Sequence, residues 1–355
     1  MPYFIATLFC LIISLQDVTS NPFFNPFDHL FGRISDDVTF HLYTRRNTDR
    51  SYILDPESRS RTRDNPLNPS HHTVIFIHGF NENYRSPSGQ GIKDAYLKKG
   101  QFNIILVSWG KLAAMPWYVN AVLNLPAVGA YVAELIMWLD NRGINYSANL
   151  HVIGFSLGAH VASFVSEELA RNGWPKIKRI TGLDPAGPAF ESLTTISSRL
   201  HAENAIFVDI IHTNNRALGI ETAIGHADFY VNYGKPQPGC GYLNINCAHG
   251  RAWNLYVESI SNPFGFPASI CGRWNFFVSQ CSPAENVYMG FAADPKTRGR
   301  FYVETRFTYP FATNPISLRK NVPSNRKPIQ HDSHALYSHV EKLPIKLDER
   351  SVYYT

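Results

Sequence analysis

Residues Leu150–Val165 read LHVIGFSLGAHVASFV, and the pattern of apolar residues changes at Ser156. Up to Gly154 the run is mostly apolar and reads as a strand. From about Leu157 to Arg171 small and apolar residues recur at helical spacing. A strand therefore turns into a helix through Gly154-Phe155-Ser156-Leu157-Gly158, a GxSxG sequence. In such an elbow the serine takes a strained turn, and the flanking glycines avoid collisions with neighbouring backbone. The turn lifts the hydroxyl above the sheet edge, next to the free N–H groups of a helix N-terminus. GxSxG alone is a short pattern; the strand before it and the helix after it give it meaning.

Working outward, Thr73–His78 (TVIFIH), Asn103–Trp109, Ile177–Leu183 and Ala205–His212 read as further buried strands. Ser86–Lys99 and Val128–Asn141 read as helices between them. Strands alternating with helices predict an α/β fold with a mostly parallel, doubly wound sheet. Val38–Thr44 alternates like an exposed strand, and Arg45–Ser70 reads as a long connection.

A serine is a weak nucleophile without a base and an orienting acid. Of two aspartates on apolar strands, Asp184 ends its strand at the carboxyl edge, where chemistry gathers in such sheets. Asp209 lies mid-strand, where a structural ion pair is the simpler role. Among the later histidines, His249 lies two residues after Cys247 at the start of an apparent helix, in a position read as a loop. It is favoured over His226, without excluding it, while His212 and His226 both suit structural roles. An oxyanion hole needs two backbone amides aimed at the developing charge. Leu157 supplies one, and Phe80, in the His78-Gly79-Phe80 turn after an early strand, supplies the other. His78 itself is read as a brace for that turn.

The chain has 355 residues, and no internal apolar run approaches the roughly 18 residues needed to cross a membrane. Met1–Ser20 has the apolar centre and small-residue end of a secretory signal peptide, although no Lys or Arg precedes the apolar run. Its removal leaves Cys240, Cys247, Cys271 and Cys281, whose short spacings favour the pairs Cys240–Cys247 and Cys271–Cys281. Zinc ligation does not fit those spacings, so no metal is expected. Asn145-Tyr146-Ser147 is an N-glycosylation sequon in a turn-like stretch. The net charge of +5 is spread too evenly to argue for nucleic acid.

VIFIHGF, HVIGFSLGAHVA, ITGLDPAGPAF, VDIIHTN, GHADFYVNYGKPQPGC and CAHGRA occur in that order. Together they resemble the pancreatic-lipase family, especially its short insect members and secreted phospholipases A1, from about Val38 to Ala312. The resemblance implies an α/β-hydrolase fold, with the central sheet flanked by helices. It matches Ser156, Asp184 and His249 to the family's triad, and Phe80 and Leu157 to its oxyanion hole. No cofactor is implied. The expected organisation is a signal at 1–20, one hydrolase domain at 21–313 and a poorly ordered tail at 314–355. That tail is too short for the family's C-terminal β-sandwich of the PLAT type, so no colipase-like partner is implied. The family's lid lies between the cysteines matching Cys240 and Cys247, and here it is only GYLNIN. A lid that short resembles the phospholipases A1 more than the triglyceride lipases. The expected substrate is a phospholipid, with neutral glyceride as the alternative and a small ester as a lesser one. Insect yolk proteins resemble the family without its serine, so a lipid-carrying role is the rival from another class. Oligomeric state is left open.

Overall fold

The computed structural model describes residues 33–58, 65–144, 149–191, 199–215, 217–241, 243–271 and 281–313. The signal segment Met1–Ser20, the sequon at Asn145 and the tail from residue 314 lie outside them. The apolar runs become strands of an 11-stranded sheet. In chain order these are β1 (Thr39–Tyr43), β2 (Tyr52–Leu54), β3 (His72–Ile77), β4 (Phe102–Ser108), β5 (Leu150–Phe155) and β6 (Ile177–Leu183). β7 (Ala205–His212), β8 (Ala227–Val231), β9 (Pro267–Cys271), β10 (Cys281–Tyr288) and β11 (Gly299–Val303) complete it. The spatial order is β10-β9-β11-β8-β7-β6-β5-β3-β4-β1-β2. From β11 to β4 neighbours pair in parallel; β1, β2, β9 and β10 add antiparallel margins.

Besides a single turn at Ile34–Asp37, the α-helices among the described residues are α1 (Pro87–Lys99), α2 (Tyr118–Leu123), α3 (Leu125–Asp140), α4 (Leu157–Arg171) and α5 (Ile245–Ser261). Side chains alternate across a strand, so an all-apolar strand feeds two cores at once. Ile75, Ile77, Ile105 and Val107 join the core under α3 and α4. Val74, Phe76, Ile104 and Leu106 join the one under α1 and α5. Each such side chain taken fully from water contributes about 1.5–3 kcal/mol, which a half-exposed strand would forgo on one face. This is the α/β-hydrolase architecture, and the described residues form one domain.

α4, β6 and β7 take the bounds read from the sequence. β1 departs from it, because Phe40 and Leu42 enter one core and Tyr43 the other. β2 takes the edge position instead, and Tyr84 stacks on His41 at 3.5 Å. The long connection after Tyr43 therefore contains a strand. The two predicted disulfides are both formed, the second joining paired positions of β9 and β10. Among the described residues no helix is long and apolar enough to cross a membrane.

Candidate active site

Parallel strands bring their carboxyl ends to one edge, and the elbow stands there. Ser156 has φ 55° and ψ −121°, a strained backbone for a residue with a side chain. Neighbouring backbone leaves no alternative. A Cβ on Gly158 would stand 2.1 Å from the Ile77 carbonyl oxygen, and one on Gly154 2.4 Å from the Ala159 Cα. The Ser156 amide donates to the Leu183 carbonyl at 3.0 Å, joining the elbow to the end of β6. Asp184 follows directly, at φ 41°.

Asp184 is fully buried, and its two oxygens have separate tasks. Oδ1 accepts the Thr213 and Asn214 amides at 2.7 and 3.0 Å, and Oδ2 accepts Nδ1–H of His249 at 2.6 Å. Three donors on a carboxylate offset its removal from water and fix the imidazole tautomer, leaving Nε2 free to accept a proton. His249 is not a loop residue: it lies in the second turn of α5, its ring 4.8 Å from that of Phe155. The Cys240–Cys247 disulfide and the Asn244 side chain, which accepts the Cys247 amide at 3.0 Å, fix the start of that helix.

The rival candidates lie elsewhere. Asp209 receives Arg179 through two bonds of 2.8 and 2.9 Å and the Thr181 hydroxyl at 2.9 Å. His226 accepts the Val208 amide. His212 is buried between the Ile220 carbonyl and Asp228.

The turn after β3 packs against Ser156, since a Cβ on Gly79 would lie 2.9 Å from the Ser156 Cβ. His78 braces this turn. Its Nε2 accepts the Trp109 amide at 3.1 Å, so Nδ1 carries the proton and donates to the Gly79 carbonyl at 2.8 Å. Burial pulls its pKa down to about 4, which keeps it neutral in this role. The Phe80 and Leu157 amides have no acceptor among the described residues, Leu157 being the first residue of α4. Two amides beside a serine, with an Asp–His pair across the sheet edge, can support nucleophilic attack on a carbonyl. Among the described residues no group of three or more potential ligands is placed to hold a metal.

Three supporting residues escaped sequence reasoning. Asn214 donates through its side chain to the Ile245 carbonyl at 2.8 Å, tying the Asp184 loop to the start of α5. His160, one turn after Ser156, donates to the Ala186 carbonyl at 2.8 Å behind Asp184. Glu82 bonds the Gly79 amide. Only His160 had a signal, its place four residues past Ser156 among the small and apolar residues that open α4.

The profile of the family described as Lipase matches residues 31–311. The chain is 34% identical to Phospholipase A1 of Vespula squamosa over 291 residues, covering 79% of this chain and 96% of that protein. It is 35% identical to Phospholipase A1 member A of Bos taurus over 262 residues, 71% of this chain and 55% of the relative. It is also 35% identical to Hepatic triacylglycerol lipase of Rattus norvegicus over 257 residues, 64% and 50% of the two chains.

Proposed function

The chain belongs to the lipase family, and on that premise we propose that it is an exported phospholipase of A1 type, with Ser156 as nucleophile, His249 as base and Asp184 as orienting acid. His249 Nε2 takes the Ser156 proton as Oγ attacks the ester carbonyl. The tetrahedral oxyanion is held by the Phe80 and Leu157 amides. His249 then protonates the departing alcohol, and water repeats the sequence in reverse roles to release the fatty acid.

The observation that carries the lipid reading is the placement of apolar surface. The segments leaving β4, β8 and β11 at the site edge carry Met115, Trp117, Leu243, Ile245, Phe307 and Tyr309 exposed. These are six of the nine exposed large apolar side chains among the described residues. Such a concentration suits a substrate presented in an aggregate better than a small dissolved ester or an inert carrier role. The names of the relatives over nearly their full length, together with the brief lid loop, favour phospholipid over glyceride. Two disulfides and the Met1–Ser20 segment support export. No cofactor enters this scheme.

The test is release of fatty acid from phosphatidylcholine labelled separately at sn-1 and sn-2, set against triolein. Preferential sn-1 release is expected, and Ser156→Ala should lower it by roughly 10⁴-fold or more. Faster cleavage of triolein would replace the phospholipase reading with the glyceride one. Undiminished release by Ser156→Ala would remove the nucleophile assignment.

A further inference from the structure

The turn after β3 holds a carboxylate that the acyl-transfer steps do not use. Glu82 Oε2 accepts the Gly79 amide at 2.9 Å, and Oε1 accepts the Ser88 hydroxyl at 2.8 Å. Ser88 is buried in the first turn of α1, so the carboxylate connects a packed helix to the turn. A carboxylate withdrawn from water is costly, and burial raises the Glu82 pKa, with its two hydrogen bonds and the nearby His249 pulling it back.

Gly79 explains what such a group does there. It must be glycine for space, because a Cβ would meet the Ser156 Cβ at 2.9 Å and the Phe155 carbonyl oxygen at 3.3 Å. The missing Cβ also leaves its backbone the least restrained of any residue type. Yet its carbonyl shares a peptide plane with the Phe80 N–H, and the two point in opposite directions. Whatever fixes Gly79 therefore aims Phe80. His78 holds the Gly79 carbonyl and Glu82 holds its N–H, so both ends of the glycine are restrained.

We infer that Glu82 is a positioning residue for the oxyanion hole: anchored by Ser88, its carboxylate locks Gly79 so that the Phe80 N–H is aimed before substrate arrives. This rests on the hydrolase reading above. A donor set in advance contributes where charge develops, in the transition state, so its loss lowers kcat rather than raising KM.

The full chain and its Glu82→Ala, Glu82→Gln and Ser88→Ala variants are assayed on p-nitrophenyl butyrate, an ester that both the phospholipase and the glyceride readings admit. Glu82→Ala should lower kcat by about 10–100-fold with KM within about threefold. Glu82→Gln should restore kcat to within about threefold, because an amide can accept from Gly79 and donate to Ser88. Ser88→Ala should lower kcat by about 3–10-fold, and it decides the matter if Glu82→Ala fails to fold. An unchanged kcat in Glu82→Ala, a change confined to KM, or a glutamine variant as impaired as the alanine one overturns the inference. If Glu82→Ala is unfolded, an unchanged kcat in Ser88→Ala does so. Ser156→Ala, run alongside, separates the two levels. An inactive Ser156→Ala beside a fully active Glu82→Ala removes this inference alone, whereas an active Ser156→Ala removes the hydrolase reading and this inference with it.

Discussion

Gly219 lies against the carboxylate of Asp184: a Cβ at that position would stand 2.5 Å from Oδ1 and 2.6 Å from Oδ2. Neither side can retreat easily. The Gly219 amide donates to the Asn214 carbonyl at 2.9 Å, and Asp184 is held by the Thr213 and Asn214 amides.

Gly219→Ala should therefore displace the acid from His249 without unfolding the chain. Overpacking of this kind costs about 1–3 kcal/mol. The melting temperature should fall by a few degrees, while kcat drops by about 10–100-fold with little change in KM. Steady-state kinetics on the folded variant checks this, and wild-type kcat would show that Asp184 does not orient the base.

Asp184 and Asp209 should fail in opposite ways. Asp184→Asn keeps an oxygen for the two amides but turns an N–H₂ towards His249, which forces the tautomer that cannot take the serine proton. Its kcat should fall by roughly 10⁴-fold with the melting curve nearly unmoved. Asp209→Ala leaves Arg179 without its partner in the sheet, which costs about 3–5 kcal/mol, although bonds to the Gly290 and Phe291 carbonyls remain. Its kcat, measured well below the melting point, should stay within about twofold. The reverse pattern would exchange the two roles.

That pair also shows what the sequence could reveal. The elbow was legible because its signal is local: an apolar strand, two glycines and an apolar helix lie within sixteen consecutive residues. Asp184 directly follows one apolar strand and Asp209 lies within another, so apolar pattern alone does not separate them. The difference comes from partners outside each strand, Arg179 on the neighbouring β6 in one case and the Thr213 and Asn214 amides in the other. Position at the carboxyl edge was the only local clue. β1 reads as exposed for a similar reason, because only β2, paired with it after a turn, turns an edge strand into an interior one. Glu82 carried no signal, since its role depends on how tightly Gly79 meets Ser156.

Stability should fall with acid above the ordinary carboxylate range. Burial lowers the His78 and His160 pKa values to about 4 and that of His151 well below its usual value. In the unfolded chain these rings take up protons near pH 6.5, while folded they stay neutral. Between pH 6.5 and about 4 the unfolded state binds more protons, so stability drops as pH falls, by up to about 1.4 kcal/mol per pH unit for each ring. Glu82, Glu134, Glu167 and Glu258, whose pKa values are raised by partial or full withdrawal from water, act in the opposite direction. Eight described imidazoles are shifted down against these four carboxylates, and near pH 6 the imidazoles dominate. Melting temperatures at pH 7.0, 6.0 and 5.5 should decline steadily. A flat profile would mean that these rings open to water in the native state.

The lid loop leads to the last prediction. Six residues separate Cys240 from Cys247, but α5 already begins at Ile245, and of the described residues between them only Gly241, Leu243 and Asn244 lie outside the helix. Asn244 caps α5, Asn214 holds the Ile245 carbonyl, and the disulfide closes the base. A segment this short and this tied cannot swing aside as an amphipathic lid does. It also leaves Leu243 91% exposed, the reverse of a closed lid turning apolar residues inward. With Leu243 and Asn244 held in place, the site should turn over single substrate molecules as fast as aggregated ones. Hydrolysis of a short-chain phosphatidylcholine, followed from below to above its micelle concentration, should rise smoothly and by no more than about threefold at the transition. The exposed apolar side chains of the site edge will favour adsorption to micelles, which acts through KM; kcat should be the same on both sides. A sharp rise in kcat at the micelle concentration would mean that some segment other than this loop covers the site until a lipid surface moves it.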